Sequence, residues 1–475
     1  MSDSGAREAE APTVSGRGNG GDTASLIRHL NRRGLRLIMF VDLIGLYLVM
    51  VATMFVRFSD RWPAYPVPLY LASFGFTAVV FVVTLYFGGL YEREPRLGAP
   101  PVLPRAVGLT LAAGGLIALL NLGLTGLARE LGLTTERALP LPVVNLVVLI
   151  FVGAGVVAVN RRLVHWNRTR REGLPRLLLV GSDESVDLAR SHLESNRPQA
   201  RLAATVTSVE GLATHIGELD ITDVMLLEGE LLDELYPAGL DHLEGRGITV
   251  LLRVRARDTV LGLKRLRQVG GLPFVVLRSQ SIPRSRAQFK RLFDLVLVLA
   301  TAPAWGLVLG LVALYQSVVV GRPLLYRQTR IGARGRSFEL VKFRTMTVDA
   351  EDDGLGARLA EPDDPRVIRG CRWIRAMRLD ELPQIWNVLT GEMSLVGPRP
   401  ERPELVEAFE RDIPGYHRRN ELRPGLTGLA QIHGRYHTDA EYKLGYDLQY
   451  LVNWSPVLDL QILFRTVWVV VAQRI

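Results

Sequence analysis

Apolar residues form four long runs in the first third of the chain, at about Leu35–Val56, Val67–Phe87, Leu103–Leu127 and Leu141–Val159. Each run is close to the ~20 residues that a helix needs to cross a bilayer core. Arginines cluster before the first run and after the fourth, so the positive-inside rule places both ends in the cytoplasm. The pattern predicts four membrane-spanning helices over residues 35–160. We expect Asp42, inside the first run, to pair with the arginines that precede it.

The residues on either side of these spans have a different pattern. Residues 1–34 are predicted to be a disordered cytoplasmic tail, since their first part is rich in Gly, Ser, Ala and charge. After Leu174, short apolar runs alternate with polar helical stretches, which predicts a small parallel α/β domain over residues 174–280. Its predicted strands are Arg176–Gly181, Val224–Leu227, Ile248–Leu252 and Phe274–Leu277.

The first of these strands lacks the glycine pattern of a dinucleotide site. It is followed by Gly181-Ser182-Asp183-Glu184-Ser185 instead of G-x-G-x-x-G. Two acids at the start of a helix oppose the approach of a pyrophosphate. We therefore interpret the domain as a degenerate Rossmann-like unit, without a dinucleotide, that serves assembly or regulation. It is also a candidate surface for a homodimer.

A fifth apolar segment, Leu292–Val320, decides the topology of the rest of the chain. It contains Pro303 and is flanked on both sides by basic residues. A straight crossing would put the second basic cluster outside the cell. A helix broken at Ala302-Pro303 would enter one leaflet and return, leaving both clusters in the cytoplasm. We favour this re-entrant helix, over residues 289–320, and keep the straight span as the alternative.

Composition narrows the class of protein. The chain has 475 residues, of which 22% are charged and 48% hydrophobic, so we expect a membrane protein that carries soluble domains. Its formal charge of +9 suits anionic lipid or phosphorylated substrates. No base-reading module is recognisable, so we expect no nucleic acid. The lone Cys371 excludes an internal disulfide framework and a cysteine cluster for zinc.

The most informative feature is the acid pair Asp380-Glu381. It follows a strongly basic region, because residues 284–348 contain eleven Lys and Arg but only two acids. Arg375 and Arg378 precede the pair and are candidate phosphate ligands. Proline is tolerated in the first turn of a helix, so Pro383 predicts that Asp380 lies at or near an N-cap. A cap needs only one acid. The pair therefore predicts a site for phosphate and a divalent metal such as Mg²⁺.

Basic residues on a predicted hairpin point to the same chemistry. Two short strands flank the turn Ala333–Arg336, and this hairpin alone is compatible with binding to anionic headgroups. Lys342 and Arg344, however, lie among apolar residues of the second strand. A buried charge needs a partner, so these two residues are candidates for the site.

From about Gln288 to Ile475 the chain resembles the bacterial sugar transferase family. The resemblance covers about two-fifths of the chain and rests on five motifs in order: KRLFD, YRQTRIGARGRSFELVKFRTM, RLDELPQIWNVLTGEMSLVGPRP, LRPGLTGLAQIHGR and NWSPVLDLQIL. Members of this family are monotopic phosphoglycosyl transferases with an α/β fold and a re-entrant membrane helix. The whole chain looks like the long members that initiate exopolysaccharide or O-antigen synthesis. Many relatives have Ser-Pro at the helix break, so Ala302-Pro303 lacks a hydroxyl for the freed carbonyl.

The resemblance implies a reaction and roles. A sugar-1-phosphate would move from a UDP-sugar, with glucose or galactose favoured, to undecaprenyl phosphate at the inner membrane. Asp380 would be the nucleophile and release UMP, and Glu381 would hold Mg²⁺ within the acid dyad. Lys342, Arg344 and Arg399 match basic positions for the diphosphate. Residues 284–475 would form this catalytic domain, and its product would be the substrate of downstream glycosyltransferases. Apart from the resemblance, Asp447 and Asp459 are candidate supports of the site, with a purely structural role as the alternative.

Two other functions are compatible with parts of the sequence. Four spans before a Rossmann-like unit also resemble membrane-bound nucleotide-sugar dehydratases that use NAD, but the missing glycine pattern argues against them. A scaffold for polysaccharide assembly without catalysis is the third hypothesis.

Overall fold

The computed structural model divides into two compact units, which are residues 1–86, 90–92 and 102–165, and the remainder of the chain. It describes residues 20–63, 65–92, 97, 101–132, 139–195, 200–210, 212–255, 258, 266–277, 282–347, 364–433 and 439–471. Side chains are described from residue 37 onward, apart from residues 195, 213, 214 and 471.

The first unit is built from four long helices. They are α1 (Gly20–Phe58), α2 (Val67–Phe87), α3 (Val102–Glu130) and α4 (Val143–Glu172). All four are long and apolar enough to cross a membrane. The helix α1 begins at Gly20, before the predicted start at residue 35, and residues 1–19 of the predicted tail lie outside the described residues.

Asp42 has partners that the sequence did not predict. Its buried carboxylate accepts hydrogen bonds from Arg161 at 2.8 Å, Asn160 at 2.7 Å and the Tyr91 hydroxyl at 2.9 Å. The side chains of the arginines that precede Asp42 lie outside the described residues, so the expected pairing with them stays a prediction. Helix packing brings the end of α4 beside Asp42, and this contact over more than a hundred residues leaves no local pattern in the sequence. The buried acid thus joins α1 to α4.

The second unit begins with an α/β domain. Its elements are β1 (Arg176–Val180), α5 (Asp183–Ser195), β2 (Arg201–Val206), α6 (Leu212–Glu218), β3 (Asp223–Leu226), α7 (Glu230–Leu235), α8 (Ala238–Gly245), β4 (Thr249–Arg253), β5 (Arg267–Val269) and β6 (Leu272–Leu277). The sheet order is β2-β1-β3-β4-β6-β5. The four predicted strands are confirmed, whereas β2 and β5 were not predicted.

The sheet is mixed instead of wholly parallel. Strands β1 to β4 pair in parallel, but β6 runs antiparallel to β4 and β5 antiparallel to β6. A two-residue turn, Gly270-Gly271, joins β5 to β6, and both glycines have positive φ. Such turns match the twist of antiparallel strands. The tight hairpin therefore explains why the parallel prediction fails for the last predicted strand.

The C-terminal part of the second unit holds two helices followed by small sheets. Its elements are α9 (Arg284–Ala300), α10 (Ala302–Val319), β7 (Leu325–Ile331), β8 (Ser337–Phe343), α11 (Arg372–Ala376), α12 (Ile385–Thr390), β9 (Ser394–Val396), α13 (Pro403–Asp412), β10 (Gly425–Thr427), α14 (Leu429–His433), α15 (Ala440–Asn453) and α16 (Pro456–Val471). The predicted hairpin is confirmed as the antiparallel pair β7–β8.

The apolar segment after residue 284 is broken at Thr301, one residue before the predicted Ala302-Pro303. The Thr301 hydroxyl donates to the Leu297 carbonyl at 2.7 Å, which also accepts the Thr301 N–H at 3.0 Å. Pro303 lies in the first turn of α10, where its missing N–H is tolerated. The Trp305 indole N–H also donates to the Val298 carbonyl at 2.9 Å, so side chains of both helices satisfy carbonyls at the break.

Both ends of this helix pair contact the same domain. Lys290 of α9 pairs with Asp459 of α16 at 2.8 Å. Gln316 near the end of α10 donates to the carbonyl of Arg344 at 3.4 Å. A straight helix of the combined length would extend roughly 50 Å. The break at Thr301 is what lets both ends reach one domain.

Candidate active site

Asp380 and Glu381 lie in a 3₁₀ helix, Leu379–Gln384, between α11 and α12. Arg378, with a left-handed φ of 53°, precedes it. Pro383 falls inside this segment, and α12 begins only at Ile385. Asp380 lies near the N-terminus of the 3₁₀ helix, two residues after the N-cap Arg378, as predicted, but no side chain caps the helix by a hydrogen bond. With three residues per turn, neighbouring side chains point in different directions. The two acids consequently occupy different environments.

Glu381 is buried among three cations. Its Oε1 lies 3.0 Å from the Lys342 ammonium and 3.4 Å from the Arg399 guanidinium, and its Oε2 lies 3.8 Å from Arg378. Burial alone would raise the pKa of this carboxyl. The charges of Lys342, Arg399 and Arg378 outweigh burial and hold the pKa of Glu381 well below its usual range. Glu381 is therefore ionised and firmly positioned.

Asp380 is less constrained. Within the part of the chain that the structure describes, no hydrogen bond engages its carboxylate. Burial first, and then the charge of Glu381, raise the pKa of Asp380, while Lys342, Arg375 and Arg378 act in the opposite direction. An ionised carboxylate without hydrogen bonds keeps its lone pairs available for attack. Of the two acids, Asp380 has the environment of a nucleophile.

Strand β8 presents Lys342 to this pair, and Asn387 fixes the strand. The Asn387 amide donates to the Glu339 carbonyl at 2.7 Å, and its oxygen accepts the Val341 N–H at 3.2 Å. Burial lowers the pKa of Lys342, an effect that Glu381 opposes. Sequence reasoning missed Asn387. Its only signal is a polar residue in the apolar run of α12.

A small pocket beside Glu381 contains a further cation that the sequence reasoning missed. Its lining includes Arg330, Lys342, Gln384 and Arg399. Arg330 donates to the Pro400 carbonyl at 3.2 Å, but its buried Nε has no partner among the described residues. Burial, reinforced by the nearby charge of Arg399, lowers the pKa of Arg330 to about 10. Three cations around one carboxylate make the pocket suitable for an anion.

The other predicted phosphate ligands divide into two groups. The charges of Arg375 and Arg378 act on Asp380, and Arg375 also donates to the Thr345 hydroxyl at 3.4 Å. Arg344 is held by the backbone, because its guanidinium donates to the carbonyls of Pro323 at 2.7 Å and Val320 at 3.1 Å. The structure thus places Arg344 at the chain turn after α10.

The two candidate supporting acids also differ. Asp447 accepts from Arg419 at 2.9 Å, and Arg419 in turn donates to the backbone carbonyl of Arg399 at 2.9 Å. Asp459 belongs to another buried cluster, with Lys290 at 2.8 Å and the Tyr450 hydroxyl at 2.6 Å. Asp447 therefore supports Arg399 through one residue, whereas Asp459 anchors α9.

Glycines place Arg399 by a close crossing of two backbones. Gly397 directly follows strand β9, and Gly425 is the first residue of its parallel partner β10. The Gly397 N–H donates to the Thr427 carbonyl, and the Gly425 N–H to the Pro398 carbonyl, both at 2.8 Å. A Cβ at Gly397 would overlap the Arg423 carbonyl oxygen. The two glycine-containing motifs are thus one structural unit.

The comparisons with known proteins identify the family. A family model described as bacterial sugar transferase matches residues 285–473. A sugar transferase of Bacillus subtilis, itself uncharacterised, is 40% identical over 178 residues, which are 38% of this chain and 85% of that protein. The chain belongs to the bacterial sugar transferase family.

Two further relatives of this sugar transferase have named reactions. A UDP-glucose:undecaprenyl-phosphate glucose-1-phosphate transferase of Caulobacter vibrioides is 40% identical over 183 residues, 38% of this chain and 68% of that protein. A UDP-N-acetylgalactosamine-undecaprenyl-phosphate N-acetylgalactosaminephosphotransferase of Aeromonas hydrophila is 38% identical over 184 residues, 38% of this chain. The match spans only 43% of the Aeromonas protein. By name, these relatives act on different sugars.

The acid pair of this sugar transferase fits Mg²⁺ only together with a substrate. Among the described residues, no group of three or more His, Cys, Asp or Glu side chains could hold a metal ion. Mg²⁺ commonly uses one or two carboxylates and completes its coordination with water and phosphate oxygens. Asp380 and Glu381 supply two carboxylates, and a diphosphate in the neighbouring pocket would supply the remaining oxygens.

Proposed function

We propose that this sugar transferase moves a sugar-1-phosphate from a UDP-sugar to undecaprenyl phosphate and releases UMP. The observation that carries the proposal is the contrast within the acid pair. Glu381 is held by three cations, whereas Asp380 is ionisable and engaged by no hydrogen bond among the described residues. The named relatives support the same class of donor and acceptor. Because they differ in their sugar, the proposal leaves the sugar open.

In the first step, an Asp380 carboxylate oxygen attacks the phosphorus that carries the sugar. A phosphorus–oxygen bond forms to Asp380 as the bond to UMP breaks, and UMP leaves with the bonding electrons. Lys342, Arg330 and Arg399 in the pocket would stabilise the charge on the diphosphate. The positions of Arg375 and Arg378 suit the transferred phosphoryl group. When bound at the pair, Mg²⁺ would neutralise charge on the diphosphate oxygens.

In the second step, undecaprenyl phosphate displaces Asp380. An oxygen of the lipid phosphate attacks the same phosphorus, the bond to Asp380 breaks, and the free carboxylate returns. The product is undecaprenyl-diphospho-sugar. Dividing one displacement into two through a covalent intermediate is the usual logic of nucleophilic catalysis.

Turnover by the purified protein tests this function. Detergent-solubilised protein is supplied with undecaprenyl phosphate, Mg²⁺ and a panel of UDP-sugars, and UMP release is measured. At least one sugar should support release that depends on the lipid acceptor. If no sugar supports release, the transferase proposal fails and the scaffold hypothesis gains support.

The NAD-dependent dehydratase has less support from the α/β domain. At the start of α5, the N–H and hydroxyl of Ser182 donate to the Glu228 carboxylate at 3.2 Å and 2.5 Å. The hydrogen bond from the Ser182 hydroxyl is the largest of the effects on the pKa of Glu228 and helps to hold this pKa below its usual value. The Glu228 carboxylate is therefore anionic. A pyrophosphate would need the position beside this N–H, and the negative charge of Glu228 would repel it.

Acidification should inhibit the first step. A nucleophilic carboxylate must be ionised, and burial beside Glu381 raises the pKa of Asp380 above the ~3.9 of a free aspartate. We therefore expect the initial rate of UMP release to fall, as pH is lowered, at a higher pH than a free aspartate would require. Glu381→Gln removes the neighbouring negative charge and should shift this fall to lower pH. If the rate of UMP release fell only at or below the pKa of a free aspartate, the assignment of Asp380 as the nucleophile would be contradicted.

We also propose that α9 and α10 form a re-entrant helix, with the catalytic residues on the cytoplasmic face of the inner membrane. The break at Thr301 and the contacts of both helix ends with one domain support this topology. The straight span is the alternative, since α10 alone is long and apolar enough to cross.

Cysteine labelling separates these two topologies. Thr329 is exposed on β7 after α10, and Asp60 is exposed in the loop between α1 and α2. In intact cells, an impermeant thiol reagent should label Asp60→Cys but not Thr329→Cys. Thr329→Cys should become reactive after permeabilisation, and the native Cys371, which is fully buried, provides the background control. Labelling of Thr329→Cys in intact cells would refute the re-entrant helix.

A further inference from the structure

A second 3₁₀ helix, Tyr416–Glu421, contacts the α/β domain through Arg418. The Arg418 guanidinium donates to Asp241 of α8 at 2.9 Å and lies 4.7 Å from the centre of the Tyr236 ring. The Asp241 carboxylate also lies 3.1 Å from the His417 ring nitrogen. Arg418 is buried, with a relative exposure of 8%. A charge buried to this extent depends on its partner for its position.

The next residue of this helix, Arg419, contacts the backbone of an active-site residue. Arg419, 4% exposed, donates to Asp447 at 2.9 Å and to the backbone carbonyl of Arg399 at 2.9 Å. The side chain of Arg399 then contacts Glu381 at 3.4 Å. Consecutive residues of a 3₁₀ helix point in different directions. Arg418 and Arg419 therefore connect the α/β domain, through one short segment, to the pocket beside Glu381 that contains Arg399, which we call the donor pocket.

The packing beside these arginines leaves this segment little freedom. Gly415, which precedes the helix, has a φ of 78°, and a Cβ there would overlap the Tyr236 hydroxyl. The α/β domain thus contacts the segment at its start and again at Arg418. A displacement of α8 would be transmitted to the helix and through Arg419 to the backbone of Arg399.

We propose that Asp241 and Arg418 are positioning residues through which the α/β domain sets the place of Arg399 in the donor pocket. This inference rests on the proposed function, because it assigns Arg399 to the binding of the UDP-sugar diphosphate. It gives the α/β domain a part in catalysis without a nucleotide of its own. Loss of the Asp241 charge frees Arg418, loosens the segment and weakens donor binding.

The test compares Asp241→Asn with Asp233→Asn, an exposed aspartate on the preceding helix α7. Asp241→Asn should raise the KM for the UDP-sugar by about threefold to tenfold, the size usual for coupling through an intervening contact, with little change in kcat. Asp233→Asn should leave both constants unchanged. An unchanged KM in Asp241→Asn would overturn the proposal.

A double variant separates positioning from general loosening. Arg399→Lys removes the planar guanidinium whose place is being set. If Asp241 acts through Arg399, Asp241→Asn should add little to the KM of the Arg399→Lys protein. Independent, multiplying effects would instead show that Asp241 acts by another route and would overturn the positioning role.

Hydrogen exchange tests the same coupling without turnover. In Asp241→Asn, the backbone amides of residues 415–422 and 397–401 should exchange faster than in the wild type and in Asp233→Asn. Unchanged exchange would refute the coupling even in an active enzyme. If wild-type protein releases no UMP, the transferase proposal fails on that result, whereas exchange still decides whether the α/β domain holds this segment.

Discussion

Asp380→Asn should reduce UMP release by at least about a thousandfold, because the amide cannot form the acyl phosphate intermediate. Asparagine has nearly the same shape as aspartate, and the contacts of Glu381 with Lys342 and Arg399 do not involve Asp380. The loss should therefore appear in turnover and not in folding. Thermal unfolding in detergent should give nearly the same midpoint for variant and wild type.

The covalent intermediate can be tested directly in the same pair of proteins. With a UDP-sugar labelled in the sugar and no lipid acceptor, wild-type protein should retain label, and Asp380→Asn should not. Asp412→Asn, at an exposed aspartate of α13, is the matched control and should keep both activity and labelling. Substantial UMP release by Asp380→Asn would show that this carboxylate is not the nucleophile.

Gly397→Ala should destabilise the protein by about 3 kcal/mol, the upper part of the range for overpacking. The added Cβ would overlap the Arg423 carbonyl oxygen and lie 2.9 Å from the Gly425 nitrogen. Both are main-chain atoms, so no side-chain rotation relieves the contact. The strands β9 and β10 must separate, which displaces the loop that contains Arg399. The thermal midpoint should fall by several degrees, and UMP release should fall with it.

Gly445→Ala is the matched control for this substitution. Gly445 lies in α15 of the same part of the chain, and a Cβ there would meet no atom within 4 Å. Alanine is a better helix former than glycine, so this variant should be more stable by up to about 1 kcal/mol. Equal midpoints for Gly397→Ala and the wild type would contradict the close backbone crossing.

Elements with a strong local pattern were predicted well from sequence. The four long helices, the β7–β8 hairpin and four strands of the α/β domain all follow from runs or alternations of apolar residues. Prediction failed where a turn decided the outcome, because the Gly270-Gly271 turn reversed the last strands. The helix break lies within one residue of the predicted position.

The candidate site was predicted less completely. The acid pair and Lys342 were found because their charges are unusual for their neighbourhood. Arg330, Asn387 and Arg419 were missed, since each acquires its role only through a contact with a distant segment. The role predicted for Arg344 stays a prediction, and its guanidinium donates to nearby backbone carbonyls.

The sequence by itself determined which segments are apolar enough for a bilayer, where the acid pair lies, and the resemblance that led to the family. These properties depend on residues that are close along the chain. Only the tertiary structure decided which acid is held and which is available, which arginines surround the pocket, and how α8 reaches Arg399. Burial and charge act over a few ångströms in space, so those assignments required the packing of segments far apart in sequence.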